Sequence, residues 1–142
     1  MNIQGLKISI CAAIGTLCGV IASAFGGWST DIVTLLIFMA VDFAMGLTIA
    51  AWFKKSDKSI NGALSSAAGF KGLCKKCATL LCVLVAYRLD IALGLGYIRT
   101  ATIVAFIVNE AISILENAGI MGVPIPPVIL KAIDILKNKE SE

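Results

Sequence analysis

The sequence contains no histidine. That removes the imidazole base of Ser-His and Cys-His catalysis and the commonest side-chain metal ligand. Charge is scarce as well: Asp, Glu, Lys and Arg make up 15% of the 142 residues, against about 25% in average soluble domains. Aromatic residues supply only 7%, so the 58% that is hydrophobic is mostly aliphatic and small, with 13 glycines besides. Proline occurs three times, at Pro124, Pro126 and Pro127. No glycine-rich nucleotide loop is visible, and the net charge of +3 is too small to point to nucleic acid. What is present is long apolar runs. They place the chain in the membrane class and leave no room for a sizeable soluble domain.

The five cysteines are Cys11, Cys18, Cys74, Cys77 and Cys82, an odd number. Cys74 and Cys77 form a C-x-x-C pair, but without a second pair or a histidine a zinc site lacks ligands. Redox chemistry would want a βαβ setting that the sequence does not offer. The cysteines are read as small apolar fillers near a membrane surface.

The reading predicts an all-α integral membrane bundle of four transmembrane helices, with three possible, and a C-terminal amphipathic interfacial helix. The expected spans are 8–25, 32–53, 77–98 and 100–117, in one domain covering 1–142. A span needs about 20 mostly apolar residues; the first two runs qualify easily, and the last is the weakest. The first run also imitates a signal peptide ending in Ala22-Ser23-Ala24, but is taken as a retained span.

Lysines set the orientation. Lys54, Lys55, Lys58, Lys71, Lys75 and Lys76 crowd the segment 54–76, and positive loops stay in the cytoplasm. The hairpin from Gly26 to Asp31 carries no base and falls outside, so both termini fall on the cytoplasmic side of the membrane. Within 54–76 the pattern suggests a short surface helix after Ser59, then a flexible joint at Gly69 and Gly72. Past the prolines, which are expected to end the last span, residues 127–138 read as an amphipathic helix in the headgroup plane, with Pro127 in its first turn.

Polar groups inside the spans carry the functional signal, because a charge at mid-bilayer costs at least about 2.5–3.5 kcal/mol. Asp42 lies near the middle of its span. Arg88 and Glu110 fall at similar depths on successive helices and are expected to pair, with Asp90 beside Arg88. Asn109, Ser113 and Glu116 form one polar stripe, and Glu110 with Asn117 a second. Small residues mark packing faces: Gly15 and Gly19 in a G-x-x-x-G, and Gly46 with Asp42 and Ala50. Two uses compete for these groups. They pair inside one bundle and hold it together, or they line a surface that meets lipid-buried neighbours in one state and water in another.

Four pieces of sequence carry a family likeness: Asp42-x-x-x-Gly46, LSSAAGFKGL at 64–73, YRLD at 87–90, and NEAISILENAGIMGVPIPP at 109–127. From about Asp31 to Leu136 the chain resembles the phage-lysis and toxin-secretion holins of the holin 4 superfamily. The resemblance implies a small protein without catalytic residues, cofactor or metal. Such a protein accumulates in the bacterial cytoplasmic membrane, oligomerises with itself, and opens lesions that release an endolysin or a protein toxin. An antiholin is a possible partner, and the chain itself can be read as one. The reading from another class is a small ion- or proton-coupled transporter or channel using Asp42 and Glu110.

Overall fold

The computed structural model describes residues 2–53, 66–131 and 135, which are mostly helical with no strand among them. Four α-helices follow in order: α1 (Ile3–Ala24), α2 (Thr30–Thr48), α3 (Ser66–Leu93) and α4 (Ile98–Ile120). A π-helical turn, Ile49–Phe53, prolongs α2 and buries Ile49 and Ala50. By length and composition, α1, α2 with its extension to Trp52, and α4 are each apolar enough to cross a membrane. With 28 residues, α3 is the longest helix but carries Lys76, Arg88 and Asp90 in its apolar section.

Three of the helices form the bundle, with α4 at its centre: it packs most extensively on α2 and next on α3, whereas α2 and α3 touch narrowly. The facing residues recur every three and four positions. On α2 the seam is Ile32, Leu35, Met39, Asp42, Gly46 and Ile49; on α3 it is Lys76, Leu80, Val83, Tyr87 and Asp90. On α4 it is Arg99, Ile103, Phe106, Glu110, Ser113 and Asn117. Every one of these residues is buried or half-buried. A repeat of this period keeps one stripe of each helix against its neighbours, the pattern of left-handed helix packing in water and membranes alike. The seams are layered. Leu35, Met39, Val83 and Ile103 make an apolar core between two polar layers, with Leu80 and Phe106 packed against it.

The rest of the surface is greasy. Val33, Ile37, Val41, Val85, Leu89 and Val104 are exposed, as lipid-facing positions should be where hydrocarbon, not water, is the solvent. The contrast is sharpest in α1, of which Ala22 alone is buried among the described residues. A Cβ added at Gly15, Gly19 or Gly46 would meet nothing within 4 Å. Within one chain, those glycines therefore have no close neighbour on another helix among the described residues.

The turn after α1 is fixed by Gly26. Its φ of +82° is left-handed, and a Cβ there would stand 2.7 Å from Cε2 of Tyr87. Only glycine meets both conditions. The Gly27 amide bonds the Ala22 carbonyl at 2.8 Å and closes the helix end.

Two boundaries differ from expectation. The third helix begins at Ser66 rather than Cys77, so Gly69 and Gly72 lie inside it and form no joint. A continuous helix keeps its backbone bonds internal where water is scarce, and Gly72 lies beside Phe43, whose ring stands 3.8 Å from the place of its missing Cβ, an ordinary contact distance. At the other end α4 closes at Ile120, with Gly122 in the left-handed region at φ +85°. The prolines follow this cap and do not themselves end the helix. Residues 127–131 turn helical at Pro127. The rest of the expected tail helix apart from Ile135, and the surface helix after Ser59 up to residue 65, lie outside the described residues.

Candidate functional site

Asp42 of α2 and Glu110 of α4 each sit twelve residues into their helices, counted from Thr30 and Ile98. At 1.5 Å per residue both lie roughly 18 Å from the shared end of the bundle, close to the middle of a hydrocarbon layer about 30 Å thick. Their side chains turn to one point and are 8% and 9% exposed. Lys76 of α3 meets both: its Nζ donates to Asp42 Oδ2 at 2.9 Å and to Glu110 Oε2 at 2.6 Å. The second oxygen of Asp42 accepts from Ser113 Oγ at 2.6 Å and from Asn117 Nδ2 at 2.9 Å. One carboxylate thus gathers donors from two other helices, and one amine bridges two carboxylates.

The chemistry of this centre is charge pairing backed by neutral donors: one ammonium faces two carboxylates, and Ser113 and Asn117 hold the second oxygen of Asp42. A carboxylate or ammonium taken alone into a low-dielectric interior carries a desolvation penalty of several kcal/mol, which is repaid only when the remaining lone pairs and protons are also bonded. Charge-assisted bonds at these lengths are the stronger kind. The arrangement ties α2, α3 and α4 together at one depth.

A second polar group lies at the end where both helical turns meet. Asp90 accepts the Ile98 amide at 3.0 Å and the Arg99 amide at 2.8 Å. It caps the start of α4 from the end of α3, since Tyr97, at the cap position, makes no such bond. Arg99 donates to Ser29 Oγ at 2.8 Å and to the Gly27 carbonyl at 3.4 Å, and its Nη1 stands 3.9 Å from Asp31 Oδ2. Its guanidinium carbon lies 5.9 Å from the centre of the Tyr87 ring, within cation–π range. Arg99 Nε is buried without a hydrogen-bond partner.

Several expected site residues are redistributed. Glu110 pairs with Lys76 and not with Arg88, which is exposed one position off the α3 seam. The stripe Asn109, Ser113 and Glu116 is split: Ser113 turns in to Asp42, while Asn109 and Glu116 are exposed. Glu110, Ser113 and Asn117 form the true inner stripe, on the α4 seam. Asp90, expected as a polar group within the third span, accepts backbone amides of α4. Lys76 was missed because it stands at the edge of an apolar run among other lysines and counted as part of a basic loop. The available signal was its place, seven residues before Val83 and fourteen before Asp90, in phase with the α3 seam. All five cysteines are free and exposed.

Comparison with known proteins bears on these features. The sequence profile of the bacteriophage holin family matches residues 19–138, which include all of α2, α3 and α4. An uncharacterized protein of Clostridium perfringens is 36% identical over 140 residues, 97% of this chain and 98% of that one. Another uncharacterized relative, from Listeria monocytogenes, is 36% identical over 119 residues, 83% of this chain and 79% of its own. A protein of Bacillus phage phi105 named a probable holin is 30% identical over 109 residues, covering 76% of this chain and 75% of that one. No solved structure matches the chain significantly. With a match over most of its length and a helical membrane bundle as its fold, the chain belongs to the bacteriophage holin family.

Proposed function

We propose that the protein acts as a holin: it collects in the bacterial cytoplasmic membrane, with four spans and both termini inside, and self-assembles into lesions wide enough for a folded endolysin or toxin. The family match over residues 19–138 carries this reading. The lysine-rich segment before α3 supports the orientation, as does the meeting of the α1–α2 and α3–α4 turns through Arg99 and Gly27 at one end. Two of the three charges in the apolar section of α3 support its spanning, because Lys76 and Asp90 are bonded inside the bundle rather than left to lipid. No step of this function is catalytic.

The buried centre gives the mechanism its shape. In the single chain the inner stripe of Glu110, Ser113 and Asn117 is satisfied by its own neighbours. A water-filled lesion lined by that stripe therefore requires the Lys76 bridge to open, whereas a lesion lined by outward faces leaves it shut. Under this reading Glu110→Gln and Asp42→Asn change the time of lysis while insertion persists.

The test is release of a cytosolic enzyme reporter from bacteria expressing the protein. Escape of the whole enzyme at a defined time is expected. Passage of ions and small solutes alone would overturn the reading in favour of the second one, a transporter or channel, for which the specific observation is two buried carboxylates sharing one amine. An antiholin would instead delay lysis when co-expressed with a separate holin.

A further inference from the structure

The side chain of Asn109 is the one uncharged amide of α4 that the bundle does not use. It is exposed, and it forms no hydrogen bond among the described residues, whereas Asn117, eight positions on, is buried and bonded to Asp42. Asn109 stands eleven residues from Ile98, roughly 17 Å from the helix start, and so at mid-depth in the bilayer. There an amide finds no water, and lipid tails offer neither donor nor acceptor. Beside it on α4 runs a second stripe at the same three-and-four spacing, Ala101, Ala105, Val108 and Ile112, of which the first three are exposed and the first two small. Small side chains let another helix backbone come close enough for a side-chain hydrogen bond to form.

We infer that this outer face of α4 is a self-association surface on which Asn109 of one copy bonds Asn109 of a second. The occupant follows from the chemistry. An Asn side chain carries both acceptor and donors, so two of them related by a two-fold axis satisfy each other reciprocally through two N–H···O bonds. Copies inserted in the same direction place identical residues at identical depth, so the group that meets Asn109 across an axis normal to the membrane is Asn109. Glu116, one heptad further along this face, already holds an interaction within its own chain and is not needed for the contact. The inference deepens the holin reading by naming the assembling face, and it leaves the Lys76 centre closed in each copy.

The experiment uses full-length protein, labelled with donor and acceptor dyes, in vesicles of bacterial phospholipid, with energy transfer followed against protein density. Wild-type protein is expected to associate, and Asn109→Leu to need about ten times the density for half-association, the effect of one to two intramembrane hydrogen bonds. Asn109→Gln retains the amide and stays within about twofold of wild type. Ala105→Phe blocks close approach and weakens association independently of the amide. Because both positions face outward, the unfolding curve in detergent is expected not to move, which separates a lost contact from a lost fold. Association of Asn109→Leu at the wild-type density, or a wild-type protein that stays monomeric throughout, would overturn the inference. The release assay is scored apart. Release with unchanged Asn109→Leu association sinks the interface and spares the holin reading; association through Asn109 without release does the opposite.

Discussion

The two polar groups of the bundle solve different problems. At the turn end, Asp90 and Arg99 bond mainly to backbone and to a nearby hydroxyl, so their partners are the loose ends of helices. At mid-depth, Asp42, Lys76, Glu110, Ser113 and Asn117 bond side chain to side chain across three helices, with partners 34 to 75 residues apart in sequence. Near a membrane surface water can still reach a stranded group, and the useful work is to finish helices. At the centre nothing else can, and the groups must complete one another. Loss of one partner should therefore hurt far more at the centre than at the turns.

Lys76→Met is the strongest way to break that contrast. It leaves Asp42 and Glu110 close together without the amine that joins them, and the expected loss is about 3–5 kcal/mol of unfolding free energy in detergent. Lys76→Met combined with Glu110→Gln restores part of it, because the second change removes one of the two carboxylates left facing each other. A single variant that unfolds like wild type would mean that the bridge does not hold the bundle.

Gly26→Ala comes next and probes the turn end through its backbone. The residue is held at a left-handed φ with the Tyr87 ring in the way of a Cβ, so the variant should lose about 1–3 kcal/mol. Tyr87→Ala in the same chain removes the collision but not the φ strain, and a partial recovery separates the two. Asp90→Ala follows, at about 1–2 kcal/mol for the lost helix cap. Its effect should appear as faster amide exchange at Ile98 and Arg99 and leave the Lys76 centre intact. An Asp90→Ala loss as large as that of Lys76→Met would erase the distinction between surface and centre.

Composition and run length were enough to read the helical membrane fold, and the apolar runs placed α1, α2 and α4 within a few residues. The start of α3 was not legible, because Ser, Gly and Lys before Cys77 look like a loop when each is judged by its own polarity. What makes residues 66–76 helical is the bundle beside them, where Lys76 finds two carboxylates and Gly72 lies beside Phe43. Asp42 and Glu110 could be picked out singly, since a carboxylate in an apolar run stands out. Their partner could not, since depth matching alone favoured Arg88. Helix phase was the missing variable: the step from Lys76 through Leu80, Val83 and Tyr87 to Asp90 puts Lys76 on the inner seam and turns Arg88 outward.

The smallest expected effect belongs to α1, the region least engaged with either polar group. In α1, 6% of the span is buried, against 28% in α2, and Gly15 and Gly19 have open space where a Cβ would go. Gly15→Ala and Gly19→Ala add a methyl group that touches nothing within the chain and replace the weaker helix former by the stronger. Unfolding of the single chain should shift by no more than about 1 kcal/mol per site, toward greater stability. Gly15→Ile removes the small surface altogether and is still tolerated by the folded chain, for the same reason. The measurement that gives these variants meaning is association in vesicles beside unfolding in detergent. If the fold stands while Gly15→Ile separates copies as strongly as Asn109→Leu, the small face of α1 is a second contact between copies. If neither property changes, α1 tethers to the bundle through its Gly26 turn, and α4 carries assembly.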